Sequence, residues 1–409
     1  MNRISGFFFQ LFLFPLLIDT GSDFQEFNKN EDELSLTDTG RKIENTISLY
    51  TSRSNYEALK VTIGRKILLK TEALIINGDT LEPEEIDTRG QTTLYMRRKS
   101  FSFKLKSHAS FRHGERTESF KKFFALSLTM DRNYCNNRLA FQMMEASQLY
   151  SLFYTFCELR INDQSEGIYM IIERPEDWAM KKKDSPLFIR RGYDHSIDKI
   201  ESDKKAGKEE IKTYGKSFRL IYSSLNKYEG EVLYKTISGF LNMEAYMKWL
   251  AFNFLVRNSD YTDEVYFYID PDLEKFNIIP WDYDDLFATA PHEGNIENKG
   301  VLKGKFIFSA EDVLDKKIAS DAYLYKKYLF QFRELLNQLS PDVLKKVFED
   351  TFAELYPYYS NNEIIGMSRF DIYKDANLIR LKNDMLSLYT NLTISRNHYL
   401  DFLESIPPE

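Results

Sequence analysis

A short hairpin with acidic residues at both of its open ends is the feature that most constrains how this chain can fold. Residues 265–269 and 275–279 read as two short apolar strands, and an Asp-Pro turn joins them. In an antiparallel hairpin, the start of the first strand lies beside the end of the second. Four acidic residues of the two flanking loops are therefore expected to meet: Asp260, Asp263, Asp282 and Asp284.

Such a meeting of carboxylates has a direct chemical consequence, because they repel each other and stay ionised together only where a cation neutralises them. Their oxygen atoms suit the hard cations Mg²⁺, Mn²⁺ and Ca²⁺. A helix, an acidic loop, a short hairpin and a second acidic loop also form the layout of protein-kinase centres, in which one Asp orients the attacking hydroxyl and another holds Mg²⁺. The alternative is a pair of solvated acidic turns, since Asp is common in turns. Apolar neighbours favour an acidic site at the edge of a core: Phe267, Ile279, Trp281 and Phe287.

Strand-like segments concentrate in the first half of the chain and helical segments in the second. Residues 59–63 and 101–105 alternate between apolar and polar side chains, and residues 154–161 read as a further strand. After Asn242, a suitable helix N-cap, apolar residues recur at helical spacing. This distribution predicts an α+β fold rather than alternating βαβ units.

Two lobes follow from the same distribution. We expect a strand-rich N-terminal lobe over about 46–175 and a helix-rich C-terminal lobe over about 176–405, which together form one domain over 46–405. Between the strand-rich and helix-rich halves, the lysine-rich stretch 181–216 is expected to be mobile apart from a short strand at 187–189.

Composition excludes several classes of protein. The 409 residues are 43% apolar, which allows a large core, and their net charge of −7 argues against a general nucleic-acid binder, since neutralising phosphates needs a basic face. The two cysteines, Cys135 and Cys157, exclude a disulfide scaffold and a Cys-rich zinc site, although one disulfide between them remains open.

The N-terminus has the pattern of an export signal. Arg3 precedes an apolar run over residues 6–18, which is shorter than the roughly 20 residues that span a membrane. We therefore expect a signal peptide over 1–20 and a polar tether over 21–45, with an N-terminal anchor as the alternative. The mature protein is expected to be exported, without a stable membrane span after cleavage.

Several blocks of the sequence, in a fixed order, carry a resemblance to a known family. They are RGQTT at 89–93 with RKSFSFKL at 98–105, FAL at 124–126 with Asp131 and NRLA at 137–140, EGIYMIIE at 166–173, and NSD at 258–260 with IPWDYD at 279–284. Together they resemble the CotH kinase-like proteins, named for the spore-coat kinase CotH. The resemblance covers residues 60–287 best and fits the helical tail more loosely.

The resemblance implies an exported, atypical protein-kinase-like fold and a specific chemistry. The expected activity is the transfer of a phosphoryl group from ATP to Ser or Thr of a protein substrate, with Mg²⁺ or Mn²⁺ as the metal. By position, Asp260 would be the catalytic Asp, Asp282 the metal-binding Asp, and Asp284 a second acid at the metal.

Three more residues receive cofactor-binding roles from the resemblance. Lys104 would bind phosphate from the strand face that it shares with Ser102, with Lys106 as the alternate; a solvent-facing strand lysine is the other interpretation. Glu173 would lie near the nucleotide or pair with a basic group, unless it forms an ordinary salt bridge. Arg89 would contact phosphate or pair with Glu173.

The chain departs from the family pattern at two places. Many members have an Asn shortly after the catalytic Asp, whereas this chain has Asp263-Glu264-Val265, where Asp263 or Glu264 would have to supply the metal ligand. Asn136 also replaces a common Arg. A catalytically impaired pseudokinase, acting as an exported binding or adhesion protein, is therefore the alternative function. A glycoside hydrolase with two carboxylates is a third and weaker hypothesis.

Overall fold

Two β-sheets and a set of helices make up the part of the chain that the computed structural model describes, which is residues 34–192, 197–203, 206–262, 264–291, 299–309 and 311–405. The strands are β1 (Thr46–Tyr50), β2 (Ala73–Ile76), β3 (Asp79–Leu81), β4 (Pro83–Arg89), β5 (Ser100–His113), β6 (Arg116–Leu126), β7 (Tyr154–Ile161), β8 (Gln164–Glu173), β9 (Leu187–Arg191), β10 (Ile197–Ser202), β11 (Val265–Asp270) and β12 (Lys275–Pro280). The larger sheet has the order β3-β2-β1-β7-β8-β6-β5-β4, and the smaller sheet has the order β10-β9-β11-β12. Strand pairing is antiparallel except between β1 and β7.

Helices follow mainly after the larger sheet is complete. They are α1 (Arg53–Val61), α2 (Asn136–Ala146), α3 (Pro175–Asp177), α4 (Lys208–Ser224), α5 (Gly230–Ser238), α6 (Met243–Leu255), α7 (Lys299–Leu302), α8 (Val313–Ser320), α9 (Ala322–Gln338), α10 (Pro341–Tyr359), α11 (Asn362–Ile365) and α12 (Leu378–Ser405). A π-helical turn, Trp178–Lys182, continues α3, and short 3₁₀ turns lie at Thr92–Tyr95, Arg132–Tyr134 and Gly366–Phe370. This mixture of sheets and helices agrees with the predicted α+β class.

Sequence pattern explains the elements that position the site. In β5, Phe101, Phe103 and Leu105 are buried on one face as their alternation predicts, while Ser102 belongs to the opposite face. Helix α6 begins where predicted, because the side chain of Asn242 accepts a hydrogen bond from the Ala245 amide at 3.2 Å. Most of α6 is buried, so this helix forms the centre of the larger hydrophobic core.

Two hydrophobic cores stabilise these layers. The smaller core lies against one face of the larger sheet, and the larger core joins the smaller sheet to α2, α6 and the C-terminal helices. Both cysteines are buried and unbonded, so the disulfide that the sequence left open does not form. Residues from Leu34 onward belong to one compact unit, and the two predicted lobes remain a prediction.

Two predictions of local structure are wrong. Residues 59–63 do not form a strand, because α1 runs through Val61, starting where the Ser52 hydroxyl accepts a hydrogen bond from the Asn55 amide at 3.3 Å. The lysine-rich stretch 181–216 is not merely mobile chain, since the structure places β9, β10 and the start of α4 within it.

The signal peptide over 1–20 and most of the tether over 21–45 lie outside the described residues. Residues 34–45 form neither helix nor strand, although Leu34 is buried. No helix within the described ranges is long and apolar enough to cross a membrane.

Candidate functional site

The two acidic loops adjoin at the open end of the β11–β12 hairpin. Val265 pairs with Pro280, which places the start of one strand beside the end of the other. Beyond the ladder, the Trp281 amide donates to the Glu264 carbonyl at 3.1 Å, and the Ser259 amide donates to the Asp285 carbonyl at 3.1 Å. The loops are therefore bonded to each other along their length, in the arrangement that the hairpin pattern predicts.

A cavity of about 650 Å³ opens at this junction, and it collects several of the predicted site residues. Asp260, Asp282, Asp284 and Arg89 all line it. Its volume lies within the range of about 300–1,000 Å³ that is usual for small-molecule and cofactor sites. Asp263 lies outside the described residues.

Backbone contacts hold the Asp260 loop in place. The Asp260 amide donates to the side-chain oxygen of Asn258 at 3.2 Å, and the Asn258 amide nitrogen Nδ2 donates to Asn253 of helix α6 at 3.1 Å. Two residues beyond Asp260, the Thr262 carbonyl accepts hydrogen bonds from Nε and Nη2 of Arg191 at 3.1 and 2.6 Å. The loop thus takes its position from the end of α6 and from a buried arginine of β9.

The Asp282–Asp284 loop is fixed by the start of helix α2. The Tyr283 amide donates to the side-chain oxygen of Asn137 at 3.0 Å, and Nδ2 of Asn136 donates to the Asp284 carbonyl at 2.9 Å. Asp282 has a φ of 52°, in the left-handed region that non-glycine residues seldom adopt. A loop held in this conformation by two asparagines presents its acids to the cavity in one defined arrangement.

The carboxylates of this site repel one another. Burial raises the pKa of Asp284 well above its usual value, and the nearby charges of Asp282 and Asp131 raise it further. Burial also raises the pKa of Asp131 to about 7, although the backbone amides of Asn136 and Asn137 favour its charged form at 3.0 and 3.2 Å. A divalent cation at Asp282 and Asp284 would relieve this repulsion.

The donor set fits one kind of cation better than others. Among the residues that the structure describes, no group of three or more His, Cys, Asp or Glu side chains is arranged to hold a metal ion. Mg²⁺ does not need such a cage, because it usually binds one or two carboxylates together with water and substrate phosphates. Asp282 and Asp284 match that pattern, whereas a metal site made wholly of protein ligands does not match the described residues.

Arg89 is the arginine of the cavity lining that forms no ion pair within the described residues. Its guanidinium lies 3.8 Å from the ring centre of Phe124 and 6.0 Å from that of Trp281. Burial lowers the pKa of Arg89, although Tyr266, Asp282 and nearby glutamates oppose this change. An arginine that is stacked on aromatic rings and lacks an ion pair is suited to bidentate binding of a phosphate group.

The other arginines of the cavity are already paired. Arg174 binds Glu176, and Nη2 of Arg190 lies 3.5 Å from a carboxylate oxygen of Glu264. Glu264, which the sequence offered as a replacement metal ligand, therefore lines the cavity in a salt bridge. Sequence reasoning missed the two arginines, because Arg174 directly follows β8 and Arg190 lies within β9 without a motif of their own.

Lys104 does not lie in the cavity, in contrast to its predicted place beneath a nucleotide. Its face of β5 does reach the cavity at Ser100 and Ser102, but Lys104 lies one pleat further along the strand. There its Nζ forms a 2.5 Å ion pair with Glu84. Lys106, the alternate, pairs with Glu82 in the same solvent-exposed region.

Glu173 also lies away from the cavity lining. Its carboxylate lies 2.9 Å from Nζ of Lys182, and burial raises the pKa of Glu173. Arg89 and Glu173 form no ion pair with each other, so that part of the prediction is wrong. Glu173 instead follows its alternative interpretation, a salt-bridging glutamate at the end of β8.

Comparison with known proteins adds one match. The family model described as CotH kinase protein matches residues 86–379, which include every residue of the cavity described above apart from Lys66. No curated protein matches the chain.

Proposed function

Since this chain belongs to the CotH kinase family, we propose that it is a metal-dependent protein kinase that transfers the γ-phosphoryl group of ATP to Ser or Thr of a protein substrate. One observation carries the proposal: the carboxylates of Asp260, Asp282 and Asp284 and the guanidinium of Arg89 line a single cavity of about 650 Å³. Phosphoryl transfer needs positioning and charge neutralisation more than covalent chemistry, and these are the groups that supply both.

Each residue has a definite part in the proposed reaction. Asp260 orients the acceptor hydroxyl and receives its proton, and the Asn258 hydrogen bond keeps the loop in place for this. Asp282 and Asp284 would hold Mg²⁺ or Mn²⁺, whose chemistry is to neutralise charge on the transferred phosphoryl group. Arg89 grips a phosphate from the Phe124 side of the cavity. Lys104 has no part, because it lies outside the cavity.

The architecture and location of the protein are further proposals of the same kind. We infer a two-lobed arrangement in which the larger sheet supplies the N-terminal lobe over 46–175, and the smaller sheet and most helices supply the C-terminal lobe over 176–405. Export through a signal peptide at 1–20, followed by a tether over 21–45, rests on the apolar run at 6–18.

A pseudokinase that binds a partner without catalysis is the second candidate. Two observations favour it. First, no Asn follows Asp260 at the position where many family members have one. Second, Glu264, the candidate replacement ligand, forms a salt bridge with Arg190. In this case the protein transfers no phosphate, whether or not it still binds a nucleotide.

The test uses the purified full chain, ATP labelled in its γ-phosphate and either Mg²⁺ or Mn²⁺, with autophosphorylation and a generic protein as acceptors. Wild type is expected to transfer label, whereas Asp260→Asn and Asp282→Asn are expected to lose at least about 100-fold of the rate. The control is Asp79→Asn, which removes an exposed carboxylate of β3 that does not line the cavity. Absence of transfer in wild type, with or without binding of ATP, would contradict the kinase and favour the pseudokinase, whereas transfer of label would contradict the pseudokinase.

A further inference from the structure

The end of α1 and most of the connection from α1 to β2 form a basic strip on an acidic protein. Residues 60–70, KVTIGRKILLK, contain Lys60, Arg65, Lys66 and Lys70 and no acidic residue, while the whole chain has a net charge of −7. Lys60 is buried against Glu166 of β8 and anchors the segment. The other three are exposed and form no ion pair within the described ranges.

The same segment exposes large apolar side chains. Exposed fractions are 71% for Val61, 63% for Ile63 and 62% for Leu68, and Tyr95 of the adjoining 3₁₀ turn is 65% exposed. Isolated exposed apolar residues are ordinary, whereas four on one short segment and on the turn that contacts it at Gly64 are of the kind that marks an interaction site. We call these four residues, with Arg65 and Lys70, the basic-apolar surface.

Tyr95 is held in this exposed position by the backbone beneath it. Gly64 has a φ of +67°, its amide donates to the Leu94 carbonyl at 3.0 Å, and a Cβ built on it would lie 2.9 Å from the Tyr95 ring. The ring therefore lies directly on Gly64, where a side chain would displace it. A tyrosine has few side-chain torsions to fix on binding, and exposed tyrosines are typical of interface anchors.

The basic-apolar surface is continuous with the mouth of the cavity. The Thr88 amide donates to the Ile67 carbonyl at 3.0 Å, and the Leu69 amide donates to the Ile86 carbonyl at 2.8 Å, so this segment is bonded to β4. Lys66 lines the cavity, as do residues 90–93 of the loop that leads into the turn bearing Tyr95. A chain lying across this surface would pass beside the cavity.

We propose that the basic-apolar surface docks the acceptor protein, and that it selects an acidic segment with an aromatic or aliphatic residue near the Ser or Thr. The inference rests on the proposed kinase function, which it deepens. Acidic side chains of the acceptor pair with Arg65 and Lys70, and an apolar side chain packs against Tyr95 and Ile63. Continuity with the cavity favours an acceptor over a membrane, because only an acceptor must reach Asp260.

Docking is measured separately from catalysis. The probe is a fluorescein-labelled 15-residue peptide that contains one Ser, two Phe or Leu residues and Asp or Glu elsewhere; the comparison peptide has Lys at every acidic position. Fluorescence anisotropy with the full chain should show binding of the acidic peptide that weakens with added salt, and at least tenfold weaker binding of the basic peptide.

Two surface variants test the assignment, and neither changes a residue that lines the cavity. Arg65→Glu/Lys70→Glu and Ile63→Ser/Tyr95→Ser are each expected to weaken peptide binding at least tenfold while ATP binding stays within twofold of wild type. The matched control is Ile379→Ser/Lys374→Glu, which alters an equally exposed apolar residue and a lysine near the start of α12.

The outcomes separate docking from the proposed function. Loss of peptide binding in both surface variants, but not in the control variant, supports the inference. It does so even where wild type transfers no phosphate, a result that would contradict only the proposed function. Equal binding of the acidic and basic peptides, or unchanged binding in the surface variants, would overturn it. So would binding of vesicles of phosphatidylglycerol and phosphatidylcholine, lost in the same variants, in the absence of peptide binding.

Discussion

Replacing Arg191 should loosen the loop that carries Asp260. Arg191 is fully buried on β9, and its guanidinium donates twice to the Thr262 carbonyl, at 3.1 and 2.6 Å, and once to the Tyr246 hydroxyl at 2.7 Å. It also lies 3.4 Å from a carboxylate oxygen of Asp312. Arg191→Met keeps most of the side-chain volume but removes these bonds and the positive charge.

The expected loss of stability follows from the buried groups that would lose their partner. Removing one partner of a buried ion pair costs about 3–5 kcal/mol, because the other charge is left uncompensated, and a buried carbonyl without a donor costs about 1–3 kcal/mol. These two costs overlap, so we expect Arg191→Met to lower the free energy of unfolding by about 4 kcal/mol. Adding Asp312→Asn removes the stranded charge and should recover about half of that loss.

Urea unfolding followed by tryptophan fluorescence measures both variants. Arg191→Lys is the matched control, since it keeps the charge but lacks the planar fork, and a loss of about 2 kcal/mol is expected. An Arg191→Met variant within about 1 kcal/mol of wild type would refute the reasoning. A double variant that is no more stable than Arg191→Met would show that Asp312 is not the charge that Arg191 neutralises.

Two further perturbations test the electrostatics and the cavity loop. Burial and the charge of Asp312 raise the pKa of Asp315 to about 7, so the folded protein keeps this proton to a higher pH than the unfolded chain, and its free energy of unfolding should fall as pH rises from about 4 to about 7. Asp315→Asn should flatten this fall by up to about 4 kcal/mol in urea titrations at pH 4, 5.5 and 7, and an unchanged pH profile would contradict the assignment. Gly90→Ala should lower stability by about 1–3 kcal/mol and weaken ATP binding, because Gly90 has a φ of +96° and a Cβ there would lie 2.0 Å from Oγ1 of Thr93. Gly78→Ala measures the cost of the positive φ alone, since Gly78 has a φ of +91° but no atom within 4 Å of a built Cβ. Equal losses of stability in the two variants would show that the contact with Thr93 adds nothing.

Local pattern was enough to predict the part of the site that the hairpin builds. The two strands and the adjacency of their flanking loops depend on one continuous hairpin, and the N-cap of α6 depends on Asn242 and Ala245 alone. The strand at Tyr154–Ile161 was predicted with the bounds that the structure has. The hairpin alone thus locates Asp260 and Asp282 at one end of one element.

Short alternation failed where it fits two structures equally well. Residues 59–63 alternate, but α1 needs only Leu59 as a buried residue, and the Ser52 cap sets its start. A nine-residue helix with one buried side chain leaves no helical period to detect in the sequence. Lysine content likewise concealed α4, whose buried face contains Phe218, Ile221 and Tyr222.

The assignment of the phosphate-binding group needed the tertiary structure. Alternation in β5 correctly separates Ser102 from Phe101 and Phe103, yet it cannot say how far along the strand the cavity extends. The cavity is closed by residues far away in the sequence, among them Phe188, Arg190 and Tyr266 of the smaller sheet. Lys104 pairs with Glu84 outside its lining, and Arg89, at the end of β4, lines the cavity instead.

Equilibrium binding of ATP with Mg²⁺, measured by isothermal titration calorimetry on wild type, Arg89→Met and Lys104→Ala, tests the central claim most directly. Arg89→Met keeps an unbranched apolar side chain beside Phe124 but removes the guanidinium that stacks on this ring and would bind phosphate, and we expect affinity to fall at least about tenfold, the equivalent of one charge-assisted hydrogen bond. Lys104→Ala should bind within twofold of wild type. The reverse pattern, with Lys104→Ala impaired and Arg89→Met unaffected, would contradict the placement of the nucleotide in this cavity.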